Sequence, residues 1–292
     1  MNRPPLVAGL FYPRLASALI KEIERCFLHQ SGPGALPQVN QQGPNKIVAA
    51  LAPHAGYRYS GPTAARTYYA LAQDGIPETV VIIAPAHFRP GAPLAIWTGG
   101  FWETPLGRLT VDDDLVRALI ASDPNLQGDN EPHWGYAGGP EHSIEVQLPF
   151  LQLVYADKPP AIVCIAVSER DLRTLLEAGQ AMAEVIREYG KRVVLLVSAD
   201  LTHYEPHERA KVQDKDALDR FVERDPVGLY RTIVQYPTQS DLLTAIPVLE
   251  TARRLGVTSG RVLGYATSGE ETGDFRQVVG YGSAVLEREG SE

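Results

Sequence analysis

Three histidines stand at the ends of apolar runs. His54 closes Ile47-Val-Ala-Ala-Leu-Ala-Pro-His, and His87 closes Val80-Val-Ile-Ile-Ala-Pro-Ala-His. His203 follows Val193-Val-Leu-Leu-Val-Ser-Ala-Asp-Leu-Thr-His. Neutral imidazole is the commonest transition-metal ligand and the usual general base near neutral pH. Rings delivered from adjacent strand ends can reach one ion, although either His54 or His87 can equally be a structural histidine bonding a turn. Asp200 lies just before His203. A carboxylate beside an imidazole fixes its tautomer and raises its basicity, which makes the pair a general base or His203 a further ligand. In the plainer alternative Asp200 caps a turn and His203 packs beside Tyr204.

The elements that must position these rings follow from the same runs. Each run reads as a buried strand. After His54, the glycine-flanked Ala55-Gly-Tyr-Arg-Tyr-Ser-Gly61 reads as a turn, and the helix that follows has Pro62 in its first turn. The histidines are therefore expected where strands hand over to helices, the carboxyl edge at which open α/β sheets bind ligands.

Elsewhere, Leu15 to Leu28 has helical spacing, and Gln30 to Asn45 reads as an exposed loop. Ser168-Glu-Arg-Asp171 reads as a capping-box variant ahead of an amphipathic helix. Asp123 to Pro140 reads as irregular, Ser240 to Leu255 as helical, and Val262–Thr267 and Gln277–Leu286 as closing strands. The alternation predicts a single α/β domain over residues 1–292, with a mainly parallel or mixed central sheet flanked by helices.

Other polar groups have open readings. Glu141 and His142 precede a helix, so Glu141 either complements the helix dipole or belongs to a cleft. Tyr57 either lines a pocket or is half-buried packing. His133 and His207 sit in polar surroundings and are expected to be solvated, and His29 to be a dipole partner. No dinucleotide fingerprint, phosphate loop or Gly-x-Ser-x-Gly elbow occurs.

Composition narrows the class. The 292 residues are 44% hydrophobic and 21% charged, with net charge −8 and no basic block, which disfavours a nucleic-acid partner. Two cysteines suggest neither a disulfide framework nor a zinc knuckle. No run approaches the roughly 20 apolar residues of a membrane span, and no signal peptide is legible, so the expectation is a cytoplasmic protein without a membrane partner.

Several motifs together resemble one family. Val7-Ala-Gly-Leu-Phe-Tyr-Pro, Pro53-His-Ala-Gly-Tyr-Arg-Tyr-Ser-Gly-Pro, Pro85-Ala-His-Phe, Thr104-Pro-Leu-Gly and Glu141-His-Ser-Ile-Glu-Val-Gln-Leu-Pro-Phe are similar to stretches of the Memo family. Ser198-Ala-Asp-Leu-Thr-His-Tyr, Thr267-Ser-Gly-Glu and Val278-Val-Gly-Tyr-Gly-Ser continue the match in order. Prokaryotic members are called AmmeMemoRadiSam system protein B, which implies an AMMECR1-like protein and a radical SAM protein as partners. The resemblance implies the fold of class III extradiol ring-cleavage dioxygenases, whose non-haem Fe(II) is held by two histidines and a carboxylate.

It places His54 and His87 at the two histidine-ligand positions and His203 at the catalytic histidine, with Asp200 to orient it. His203 is also a candidate third ligand, and Tyr57, Glu141, His142 and Asp241 are cleft candidates. A divalent metal is implied, Fe(II) first, with Zn(II) or copper as alternatives, acting on a small oxygen-bearing molecule such as a diol. The alternative is a non-catalytic module that holds a peptide or partner protein in the same cleft. Animal relatives carry a cysteine ligand shortly before a late proline. Alignment on Pro247 puts Leu243 there, and on an α-helix Asp241 would point about 200° away. Without a thiolate, Cu(I) is the least suited ion.

Overall fold

The computed structural model describes residues 1–136 and 138–289. Strands β1 (Ile47–Ala52), β2 (Thr79–Pro85) and β3 (Leu94–Ile96) are followed by a hairpin of β4 (Phe101–Thr104) and β5 (Gly107–Thr110). Then come β6 (Leu126–Gly128), the small hairpin β7 (Gly135–Tyr136) and β8 (Gly139–Pro140), β9 (Ala161–Val167) and β10 (Val193–Ser198). The chain closes with β11 (His203–Glu205), β12 (Val257–Thr267) and β13 (Val278–Arg288). The helices are α1 (Ala16–Leu28), α2 (Tyr57–Asp74), α3 (Asp113–Ser122), α4 (Leu148–Val154), α5 (Leu172–Tyr189), α6 (His207–Val222), α7 (Pro226–Gln235), α8 (Ala245–Arg254) and the short α9 (Ser268–Thr272).

One sheet runs β11-β13-β1-β10-β2-β9-β3-β6, with β12 also on β13. The four central strands β1, β10, β2 and β9 are parallel. Antiparallel partners flank them, β13 on β1 and β3 on β9. The sheet is therefore mixed around a parallel centre. β1 is buried along its whole length, as a strand covered on both faces must be. Helix α1 packs on α2 and α4, while α5 packs on α3, α7 and α8, giving the sheet its helical flanks. No described helix is long and apolar enough to cross a membrane.

Several local expectations change. Helix α2 begins at Tyr57, so Pro62 lies inside it instead of in its first turn. Extensive burial of α2 carries the proline, whose missing N–H removes one intrahelical bond. The cap of α5 is Asp171 itself, accepting from the Thr174 backbone N–H, in place of the Ser168 box. The segment from Asp123 to Pro140 is not wholly irregular, since it contains β6, a 3₁₀ turn and the β7–β8 hairpin. Ser240 to Leu255 divides between a 3₁₀ helix, Pro237–Thr244, and α8, with non-helical angles at Gln239. His29 lies just past α1 and accepts from the Ser31 N–H through Nδ1, a turn contact in place of a dipole contact.

His133 is the clearest departure. It is fully buried, with Nε2 3.1 Å from the Ala95 carbonyl oxygen and its ring edge-on to Trp97 and Trp102. Burial, and then the nearby Arg3 guanidinium, push its pKa down to about 3. The unfolded chain takes that proton at 6.5. Protonation therefore favours unfolding, and the contribution of a neutral His133 is intact above the unfolded value and lost as pH falls toward the folded one. Between about pH 6.5 and pH 5 the loss is about 2 kcal/mol. Urea denaturation of the wild type and of His133→Gln should show the stability gap between them shrinking by that amount; a pH-independent gap would contradict it.

His207 is half-buried, not solvated: Nδ1 lies 2.9 Å from Thr267 Oγ1 and the ring is edge-on to Phe275.

Candidate metal centre

Parallel neighbours β1 and β10 end side by side, and β2 ends on the other flank of β10. His54 follows β1 by two residues and His87 follows β2 by two. Asp200, just past β10, accepts from the backbone N–H groups of His54 (2.8 Å) and Ala55 (3.3 Å) through Oδ1. Its carboxylate thus fixes the turn that carries His54, where the sequence reading had it orienting His203.

The rings meet a third that comes from a different element. His54, His87 and His142 form one group whose ligand atoms lie within 4.8 Å of one another. The rings of His87 and His142 are stacked, with centroids 4.8 Å apart, and His54 is edge-on to both. His142 sits on the segment before α4, backed by Phe11 at 4.3 Å between centroids. His54 is buried, whereas the His87 side chain is 24% exposed, which gives the group one open side.

The tautomers follow from the hydrogen bonds behind the rings. Ser198 Oγ donates to the Ser143 carbonyl at 2.6 Å and receives Gln147 Nε2 at 2.7 Å. Its proton is committed, so it can only accept from His54 Nδ1, 3.3 Å away. Glu141 Oε1 lies 3.1 Å from His87 Nδ1 and also accepts from the N–H groups of His142 and Ser143, while Oε2 accepts from the His87 N–H. A carboxylate held by so many donors has no proton to give, so His87 Nδ1 is the donor. Both rings therefore carry hydrogen on Nδ1 and turn Nε2 toward the centre. This is how outer partners orient metal-ligating histidines.

Asp241 faces those nitrogens. Its Oδ2 lies 3.1 Å from His54 Nε2 and 3.6 Å from His87 Nε2, and it is buried without a well-formed hydrogen bond. With bonds of about 2 Å, tetrahedral ligands on one ion stand about 3.3 Å apart. Asp241 comes from the kinked 3₁₀ segment Pro237–Thr244, and it is Asp241, two residues before the expected position, that this segment turns toward the two nitrogens. Leu243, at the expected cysteine position, lines the neighbouring cavity.

The electrostatics favour positive charge here. Burial disfavours a charged His54, but Asp200 and then Asp241 overcome it and raise the ring above the ordinary imidazole range. Against the same burial penalty, the facing Asp241 carboxylate and then the Glu141 carboxylate raise His87 to about 10. Burial, and then repulsion from His54 and His87, push His142 down to about 3, which keeps that ring neutral. Burial would raise Asp241 and Glu141, yet their histidine partners hold both well below the usual carboxylate range. A divalent cation in the centre would replace the Nε2 protons, so binding would release protons.

His203 lies outside the three-histidine group. The chain runs beyond β10 before His203 opens β11, which pairs antiparallel with β13 and so leaves the row of parallel strand ends. Its Nδ1 sits 2.9 Å from the Leu201 carbonyl oxygen and 3.2 Å from that of Thr238. Tyr57 is buried, and its hydroxyl donates to the Val146 carbonyl at 2.6 Å, which fastens α2 to the segment before α4. A cavity of about 230 Å³ opens beside His87 and Asp241, lined also by Ser168, Arg170, Ser240 and Thr244.

Comparison with known proteins adds a family. The family model described as Memo-like protein matches residues 3–285. A MEMO1 family protein of Methanopyrus kandleri is 41% identical over 290 residues, covering 99% of this chain and 100% of the relative. One from Thermotoga neapolitana is 39% identical over 287 residues, covering 98% and 100%. Among solved structures, an uncharacterized protein from Escherichia coli K12 aligns over 82% of this chain and 100% of its own, with 13% identity and a TM-score of 0.49.

Proposed function

The chain belongs to the Memo family, and from that membership we propose that it is a metal-binding protein with a dioxygenase-like centre, in which His54, His87 and Asp241 hold a divalent ion beside His142. The observation that carries this reading is Asp241 Oδ2, a buried carboxylate oxygen without a well-formed hydrogen bond that faces two imidazole nitrogens. In the chain alone the protonated rings of His54 and His87 balance this charge, and a divalent cation can take the place of their Nε2 protons between the same three groups.

Two imidazoles and a carboxylate are the donor set of non-haem Fe(II) oxygenases, while the same nitrogens with His142 also suit Zn(II). With no thiolate in the group, Cu(I) is disfavoured. When bound, Fe(II) would supply a redox-active site for dioxygen and an oxygen-bearing substrate.

The chain's own groups would do the rest. Ser198 and Glu141 keep the Nδ1 protons in place and hold the rings still. With Nδ1 turned to carbonyl oxygens, His203 keeps Nε2 as a proton acceptor, in line with the general-base role that the family resemblance gives it. The cavity beside His87 has room for a substrate of about one ring, with Ser168, Arg170 and Ser240 among the residues of its wall.

The test is oxygen uptake by protein reconstituted anaerobically with Fe(II) and offered a panel of catechols and related diols. Uptake that requires iron and disappears in His54→Ala/His87→Ala is expected. Fully loaded protein that consumes no oxygen with any diol would overturn the dioxygenase reading and leave metal binding alone.

A further inference from the structure

A second concave site lies at the opposite end of the sheet. Its walls include Ile47 and Val193, the first residues of β1 and β10, whereas the metal centre follows their last residues. Strands of this length put the two sites roughly 20 Å apart. The pocket has a volume of about 430 Å³, and its charged lining consists of Arg187, Lys191, Arg192, Arg254 and Arg288. No carboxylate lines it among the described residues, in a chain whose net charge is −8.

Only part of this charge is neutralised. Arg192 pairs with Asp74 at 2.5 Å, yet its Nε and Nη1 are buried without a partner. Arg254 pairs with Glu250. Arg187 donates only to the Arg254 carbonyl, and Lys191 only to the Tyr189 hydroxyl. Among the described residues, Arg288 has no side-chain hydrogen bond or ion pair, and its contacts here are through its backbone N–H to the Lys46 carbonyl.

Basic residues at the ends of α5 and α8 have an ordinary use, since a helix C-terminus carries about half a negative charge. Two such ends, two paired carboxylates and the Asp112 carboxylate that Lys191 approaches through the Tyr189 hydroxyl still leave the pocket about one positive charge in excess. Like charges gathered in a concavity repel one another unless an anion joins them.

We propose that this pocket binds a phosphate-bearing small molecule, with Arg187, Lys191 and Arg288 holding the phosphoryl group and Ile47, Ile186 and Leu255 receiving an apolar body. An anionic phosphoryl group offsets the excess, and guanidinium forks match its oxygens in pairs.

The experiment is calorimetric titration of the full chain at low salt with inorganic phosphate, pyrophosphate and succinate, for the wild type and for Arg187→Gln/Arg288→Gln. All the replaced side chains are exposed, so the variant should keep its fold, and Lys191→Gln provides a second, milder variant. Saturable phosphate or pyrophosphate binding is expected, weakened about tenfold or more in the double variant and less in Lys191→Gln, with metal content unchanged in both. No saturable binding, equal binding in the double variant, or tighter binding of succinate than of either phosphate would overturn the assignment.

Discussion

Asp241→Asn is expected to lower affinity for divalent metal by about 100-fold or more, with the fold retained. The amide keeps the shape of the side chain but loses the charge that faces His54 Nε2 at 3.1 Å and His87 Nε2 at 3.6 Å. A carboxamide is also a poor ligand for a transition metal beside imidazoles. Glu141→Gln acts one step further out. It removes the carboxylate that accepts from His87 Nδ1, so the ring loses its fixed tautomer while Nε2 stays near the centre. Loss of such a partner typically costs about 10- to 100-fold in affinity, so Asp241→Asn should bind metal more weakly than Glu141→Gln. Competition with a coloured chelator under anaerobic conditions measures both. Equal affinity in Asp241→Asn and the wild type would remove Asp241 from the centre.

Arg3→Met should cost about 3–5 kcal/mol of stability, the largest effect expected from any single change away from the centre. Arg3 is 1% exposed, and Glu145, 2.5 Å away, is fully buried. The guanidinium also donates to the carbonyls of His133 and Glu141. Glu145 in turn accepts from the backbone N–H groups of Leu6 and Val7 and from the Tyr12 hydroxyl. Removing the cation leaves that carboxylate charged, buried and short of a partner, which is why breaking one half of such a pair is so damaging. Arg3→Met/Glu145→Leu removes both charges and should recover part of the loss. It leaves the Leu6 and Val7 amides and the Tyr12 hydroxyl without their acceptor, at about 1–3 kcal/mol for each that stays buried and unpaired, so the recovery should be incomplete. Urea denaturation of Arg3→Met, Glu145→Leu and the double variant checks the ranking, and a double variant worse than either single would contradict it.

The same clamp reaches the centre. It ties the N-terminal segment to the Glu141 carbonyl, one residue before His142, and Phe11 in that segment lies against the His142 ring. Part of the centre's rigidity therefore comes from residues that contribute no ligand.

The sequence made some of this legible and hid the rest for identifiable reasons. His54 and His87 could be placed together because an apolar run ending in Pro-His or Ala-His reports a strand end, and parallel strands align such ends. The same rule made His203 a candidate ligand, but the group of close ligand atoms gathers His54, His87 and His142. At His203 the chain has continued past β10 and joins an antiparallel partner. His142 could be named as a cleft candidate but not as a member of the histidine group, because its approach to His87 depends on tertiary packing of the segment that Arg3 and Glu141 hold. Asp241 was kept only as a cleft candidate, because alignment on Pro247 put Leu243 at the ligand position, and a sequence does not show which residue of the kinked 3₁₀ segment Pro237–Thr244 faces the histidines. The proline at position 237 and the polar run after it are the signals that could have warned of a 3₁₀ segment. His133 was misjudged because the stretch around it reads as an irregular loop, with Asp129, Asn130 and Glu131 just before it, while its neighbours in space are Trp97 and Trp102.

The most direct measurement is the metal content of anaerobically purified protein, taken beside Asp241→Asn and His54→Ala/His87→Ala. The centre described here predicts close to one bound transition-metal ion per chain in the wild type, much less in the aspartate variant, and none in the double histidine variant. A wild-type protein that is folded yet takes up neither iron nor zinc, or a double variant that retains its metal, would contradict it.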